Sequence, residues 1–138
     1  MGYFSDRQRL WQPDRIRFIF LLIAIAAFGL TEFGRYVYRP YAYAHRLADF
    51  GLADSVGNLG GIIVQIFFSL AIINPTRPQS YRLAAFFSVG YVLYEFAQPY
   101  LPKGVFDWTD IAATAIGYII SILLLILLWR WLGDESTA

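Results

Sequence analysis

Apolar and small residues run unbroken from Phe18 to Leu30 and stop at Thr31-Glu32-Phe33-Gly34-Arg35. With its flanks this stretch reaches about 16–18 residues, near the lower limit for a membrane span. Three more apolar runs follow, and the pattern predicts spans over residues 16–33, 55–73, 82–98 and 110–131. Asn74-Pro75 stops the second, and N-P-T-R-P-Q-S-Y over 74–81 reads as a turn, because two prolines among polar residues do not suit hydrocarbon. Residues 36–53 interleave tyrosines, arginines and His45 with apolar side chains, which predicts an interfacial loop, with room for a short surface helix after Pro40. The last run is the strongest, from Ile116 to Leu128.

The two halves of this pattern resemble each other. Glu32-Phe33 ends the first run and Glu95-Phe96 ends the third. Asp54, Asn58, Gly61 and Gln65 in the second run align with Asp110, Thr114, Gly117 and Ser121 in the fourth. Intervals of 4, 3 and 4 keep each set within about 60° on an ideal helix. Each even-numbered span therefore carries a polar and small stripe headed by an acid. Gly57-x-x-x-Gly61 and Ala113-x-x-x-Gly117 also align, a spacing that lets helices approach closely. The expected fold is all-α and integral to the membrane. One domain over 1–138 holds four transmembrane helices as two parallel helical-hairpin repeats.

Composition agrees with that class. Of 138 residues 58% are hydrophobic and only 15% charged, against roughly 25% charged in soluble domains. A net charge of +1 gives no general pull toward nucleic acid, and the absence of cysteine excludes disulfides and thiolate metal sites. Charge distribution is more informative. Arg7, Arg9, Arg15, Arg17, Arg77, Arg82 and Arg130 fall on one side of the four spans, Arg35, Arg39, Arg46 and Lys103 on the other. The positive-inside rule then puts both termini in the cytoplasm, in a multi-pass membrane protein whose partners are membrane lipids. Acids show the reverse bias, since Glu32, Asp49, Asp54, Glu95, Asp107 and Asp110 collect on the outer side. A cleaved signal peptide is the competing reading of the first run, with Ala24-Ile-Ala26 as its cleavage-like site. Against it, Glu32 belongs to the repeat unit.

The chemistry concentrates between Tyr94 and Gly117. Glu95 and Gln98 share a helix face, as do Asp107 and Asp110. The short connection between them brings the end of span three beside the start of span four. Glu95, Gln98, Asp107 and Asp110 should converge at one outer mouth, with Glu32 and Asp54 approaching from the other half. Asp107 and Asp110 also suit a helix N-terminus as caps. An intramembrane acid is a functional candidate by default. The competing structural role for Glu95 is an ion pair with Lys103 or an arginine. Gln65 and Ser121 read as interhelical hydrogen-bonders, and His45 as an interfacial residue. No catalytic set or phosphate loop stands out, and no cofactor is expected. Oxygen ligands in the acidic cluster would suit a hard cation.

The segment E-F-A-Q-P-Y-L-P-K-G-V-F-D-W-T-D-I-A-A-T-A-I-G resembles the signature of the VanZ-like membrane proteins, which carry a Glu and a Gln ending one span, a Pro and a basic residue, then two Asp three apart leading to Asn and Gly. Glu95, Gln98, Pro102, Lys103, Asp107, Asp110 and Gly117 fit, and D-S-V-G-N-L-G-G resembles the weaker first-half pattern with Asp54 and Asn58. Thr114 stands where the family has Asn, and Lys103-Gly104 replaces an Arg-bearing pair. The resemblance covers roughly residues 54–125. It implies a small bacterial inner-membrane protein, in a family linked to antibiotic resistance against the glycopeptide teicoplanin. The combined expectation is an acidic outer mouth binding a lipid headgroup, a lipid-linked precursor or a cation. Its candidate ligand-binding residues are Glu95, Gln98, Lys103, Asp107, Asp110, Thr114, Glu32, Asp54 and Asn58. One alternative is an accessory subunit of a larger membrane complex, partnered by other membrane-protein subunits. Another is a membrane-embedded hydrolase or transferase using Glu95 with Asp107 or Asp110.

Overall fold

A computed structural model of the chain describes residues 15–132. Arg7, Arg9 and Trp11 of the basic start and Gly133–Ala138 of the tail lie outside the described residues. Among the described residues the elements are all helical: α1 (Arg15–Phe33), α2 (Arg39–Ala44), α3 (Leu52–Ile73), α4 (Arg77–Ala97) and α5 (Trp108–Trp131). A π turn, Gly34–Tyr38, joins α1 to α2, and a 3-10 turn, Gln98–Tyr100, follows α4. The continuous helix Arg15–Ala44, α3 and α5 are long and apolar enough to cross a membrane, so this is a membrane protein. α4 is less apolar, with Arg82 and Glu95 near its two ends.

The observed boundaries differ from the hydropathy pattern in instructive ways. The first helix does not end at residue 33: it continues through the π turn into α2, so the short helix allowed after Pro40 is joined to it rather than separate. At the π turn the Arg39 N–H reaches back to the Gly34 carbonyl. That wider turn absorbs Pro40, which has no N–H to offer the ladder. An α-helix rises about 1.5 Å per residue, so Arg35 stands roughly 30 Å from Arg15, about one hydrocarbon thickness. α4 begins at Arg77 rather than 82. Pro78 sits in its first turn, where backbone N–H groups lack intrahelical partners anyway. Asn74 in the left-handed region closes α3, and Thr76 with Gln79 forms a capping box that opens α4.

α3 is the central helix. It packs against α1, α4 and α5, and α5 also packs against α4, while the backbone of α1 approaches neither α4 nor α5. Small residues set these distances, because helices in lipid gain little from burying apolar surface against one another. A side chain at Gly60 would strike Thr31 of α1, and one at Gly117 would strike the Leu59 carbonyl of α3. Gly57 and Gly61 do not serve one helix contact: Gly57 lies under the Arg35 guanidinium and Gly61 beside the Tyr91 hydroxyl.

The bundle has a dry end and a polar end. Phe20, Ile62, Ile66, Phe67, Leu70 and Leu125 are fully buried at the first, where Phe20 meets the rings of Phe67 and Trp129. Arg17 closes that end by donating from Nε to the Ala71 carbonyl at 2.6 Å, near the C-terminus of α3. The acids gather at the other end.

Candidate functional site

Two helix starts organise the polar end. α5 opens on Asp107, whose carboxylate accepts the Thr109 N–H at 2.8 Å. That bond holds the Asp107 carboxyl below the usual carboxylate range. The capping role falls to Asp107, which leaves Asp110, one turn further on, to meet α3. α3 has its start held by Asp49, which the sequence did not mark as a site residue. Asp49 accepts from the Ala53 N–H at 2.8 Å, the Gly51 N–H at 3.2 Å and the Tyr38 hydroxyl at 3.1 Å. The Ala53 N–H is the main cause of the lowered Asp49 pKa. Asp54 is thereby released from capping. It pairs with Arg39 at 3.1 Å and accepts from the Tyr43 hydroxyl.

Glu95 sits at the centre, 1% exposed. The Asn58 amide donates to Oε1 at 3.1 Å and the Gln98 amide to Oε2 at 2.6 Å. Both donors are neutral, and among the described residues no cation pairs with Glu95. Between described residues the ion pairs are Glu32–Arg35 at 3.6 Å and Arg39–Asp54. Among the described residues, the ion pair considered for Glu95 with Lys103 or an arginine therefore does not form. Lys103 is exposed at φ 62° in the loop beyond Pro102. Asn58 also acts on Asp110, so one amide is felt by both acids. Asp110 and Asp107 act electrostatically on Glu95, and Asp54 acts on Asp110.

Thr114, one turn past Asp110, is 1% exposed and its hydroxyl lacks a hydrogen-bond partner. Other buried helical hydroxyls, such as those of Thr31, Ser55 and Ser121, donate to the carbonyl four residues back. Ser121 thereby bonds within its own helix, and Gln65 donates to Ser69 on α3 at 3.1 Å. Neither makes the interhelical bond expected of it, because Gln65 faces open space and Ser121 is satisfied locally.

That open space is a cleft of about 590 Å³ between α1 and α4, floored by α3. Its upper part carries Glu32, Arg35 and Asn58, and its lower part Phe28, Val64 and Gln65. Tyr91 and Tyr94 form the α4 wall. Glu32 thus stands across this cleft and is not among the groups acting on Glu95. Asn58 belongs to both places: it lines the cleft and holds the buried acid. Arg35, Tyr91 and Tyr94 were not singled out from the sequence as site residues. Glu32-x-x-Arg35, an opposite-charge pair one helical turn apart, was the available signal for Arg35. A second, almost wholly apolar cavity of about 350 Å³ lies between α1, α3 and α5. Among the described residues, no three His, Asp or Glu side chains come together as a metal site. The polar end can offer acceptors to ammonium and hydroxyl groups and one guanidinium to an anion. Compared with known proteins, the chain matches no family model, no curated protein and no solved structure.

Proposed function

We propose that the chain is a VanZ-like inner-membrane protein with four spans, α4 included, arranged as two hairpin repeats with both termini in the cytoplasm. Its outer mouth binds the headgroup of a cell-envelope lipid or lipid-linked precursor. One observation carries this reading. Asn58 faces an open cleft while its amide is committed to the buried Glu95. A ligand competing for that amide would be felt directly by a buried carboxylate. Burying a carboxylate without a counter-charge is costly, and simple stability does not call for it.

The test is Glu95→Gln and Asp110→Asn in cells made teicoplanin-resistant by the wild-type chain. Loss of resistance with unchanged membrane abundance is expected. Loss of abundance in step with resistance would assign these acids to structure alone. Co-purification of a stable larger complex in mild detergent would favour the accessory-subunit reading.

A further inference from the structure

The cleft between α1 and α4 is graded from end to end. Arg35, Glu32 and Asn58 lie at its top. Arg35 and Phe28 are seven residues apart on one helix, as are Asn58 and Gln65, so each lower residue sits roughly 10 Å deeper. Phe28 and Val64 make that depth mainly apolar. A small soluble ion would use only the top of such a cleft, whereas an amphiphile would use all of it. Because the backbones of α1 and α4 do not approach each other, an acyl chain could enter sideways between them.

The charges at the top select among amphiphiles. The Arg35 guanidinium lies over Gly57, where no side chain covers it, and is half exposed. Its contact with Glu32, 3.6 Å, is longer than a tight charge-assisted bond of about 2.8 Å, so both groups keep capacity for a ligand. Behind them Asn58 leads to Glu95 and Asp110. One cation backed by several acids repels a headgroup with net negative charge and accommodates one carrying an anion and a cation together.

Resting on the headgroup reading above, we infer that the α1–α4 cleft is a site for a zwitterionic aminophospholipid, its phosphate on Arg35 and its ammonium on Glu32. The acyl chains lie along Phe28 and Val64.

The test is native mass spectrometry of the purified full chain with phosphatidylethanolamine or phosphatidylglycerol added in equal amounts. Wild type should retain phosphatidylethanolamine in preference by roughly fivefold, the factor one half-exposed ion pair supplies. Glu32→Gln should erase the preference, and Arg35→Ala should reduce retention of both lipids. Gly90→Leu provides a second route, since Gly90 borders the cleft and an added Cβ there would meet nothing within 4 Å. This variant should fold normally and lose the bound lipid. Free glycerophosphoethanolamine should not displace the lipid; displacement would overturn the lipid assignment in favour of a soluble phosphoamine. Equal or greater retention of phosphatidylglycerol, still dependent on Arg35, would overturn the aminophospholipid while leaving the headgroup reading intact. Retention unaffected by Arg35→Ala and Gly90→Leu would overturn the cleft as the site.

Discussion

Glu32 and Glu95 end two apolar runs in the same way, each followed by Phe, yet they live in opposite surroundings. Glu32 is partly exposed, pairs with Arg35 on the next turn of its own helix and looks into a cleft. Glu95 is sealed, and its partners are neutral amides from α3 and from the turn after α4. Neighbouring helices account for the difference. α4 lies against both α3 and α5, so its end is covered. α1 has close backbone contact with α3 alone among the long helices, so its end stays open. The same short motif thus yields a buried polar knot in one half and an accessible charge pair in the other.

The largest expected effect comes from removing the buried member. Glu95→Ala leaves two amide donors facing a small void and should cost about 2 kcal/mol. Glu32→Ala, which loses only a half-exposed ion pair, should cost less than about 1 kcal/mol. Thermal unfolding in detergent compares the two, and equal losses would break the contrast. Next comes the pair of close approaches. Gly117→Ala sets a methyl against the Leu59 carbonyl, which cannot move without α3, and overpacking of this kind costs about 1–3 kcal/mol. Gly57→Ala meets only the far end of the Arg35 side chain, so the same assay should record a change within about 0.5 kcal/mol, as at ordinary surface sites.

Where the halves agree, the effect is smaller and shared. Asp49 and Asp107 head α3 and α5, and both have pKa values lowered by backbone N–H groups. A lowered folded-state pKa means the stabilisation is present above the unfolded carboxylate value, about 4, and is lost as pH falls through the folded value. Hydrogen-exchange protection at Ala53 and Thr109, corrected for the intrinsic rate at each pH, should fall together on acidification. Asp49→Asn and Asp107→Asn should each remove the response at their own helix. A response at one helix only would separate the halves here too.

Much of this arrangement was legible from residue patterns. The apolar runs mark the long helices, and the short connection after α4 sets Asp107 and Asp110 where their charges act on Glu95, which Gln98 also bonds. Asn58 reaches Glu95 from the other half, as a polar stripe on α3 headed by an acid suggested. What escaped the sequence depends on helix azimuth and on who stands opposite. Gly60 looks no different from Gly57 until Thr31 is seen against it. Asp49 sits in a stretch read as interfacial loop, yet it holds the start of α3. Residues 36–53 read as interfacial loop with room for a short separate helix after Pro40, because hydropathy cannot tell a broken helix from one that widens for a turn and continues. Tyr91 and Tyr94 carry no sequence sign of a shared role until the gap between α1 and α4 gives them a surface to line.

The π turn at Gly34–Tyr38 also acts as a phase shifter. It takes one residue more than an α-turn would, so everything beyond it is rotated by about 100° relative to an uninterrupted helix. That rotation points Tyr38 at Asp49 and brings Arg39 and Tyr43 to Asp54, while Glu32 and Arg35 keep their own heading toward the cleft. One rod thereby carries two independently aimed sets of polar groups. The count of residues between Arg35 and Arg39, more than their identity, sets the angle between them.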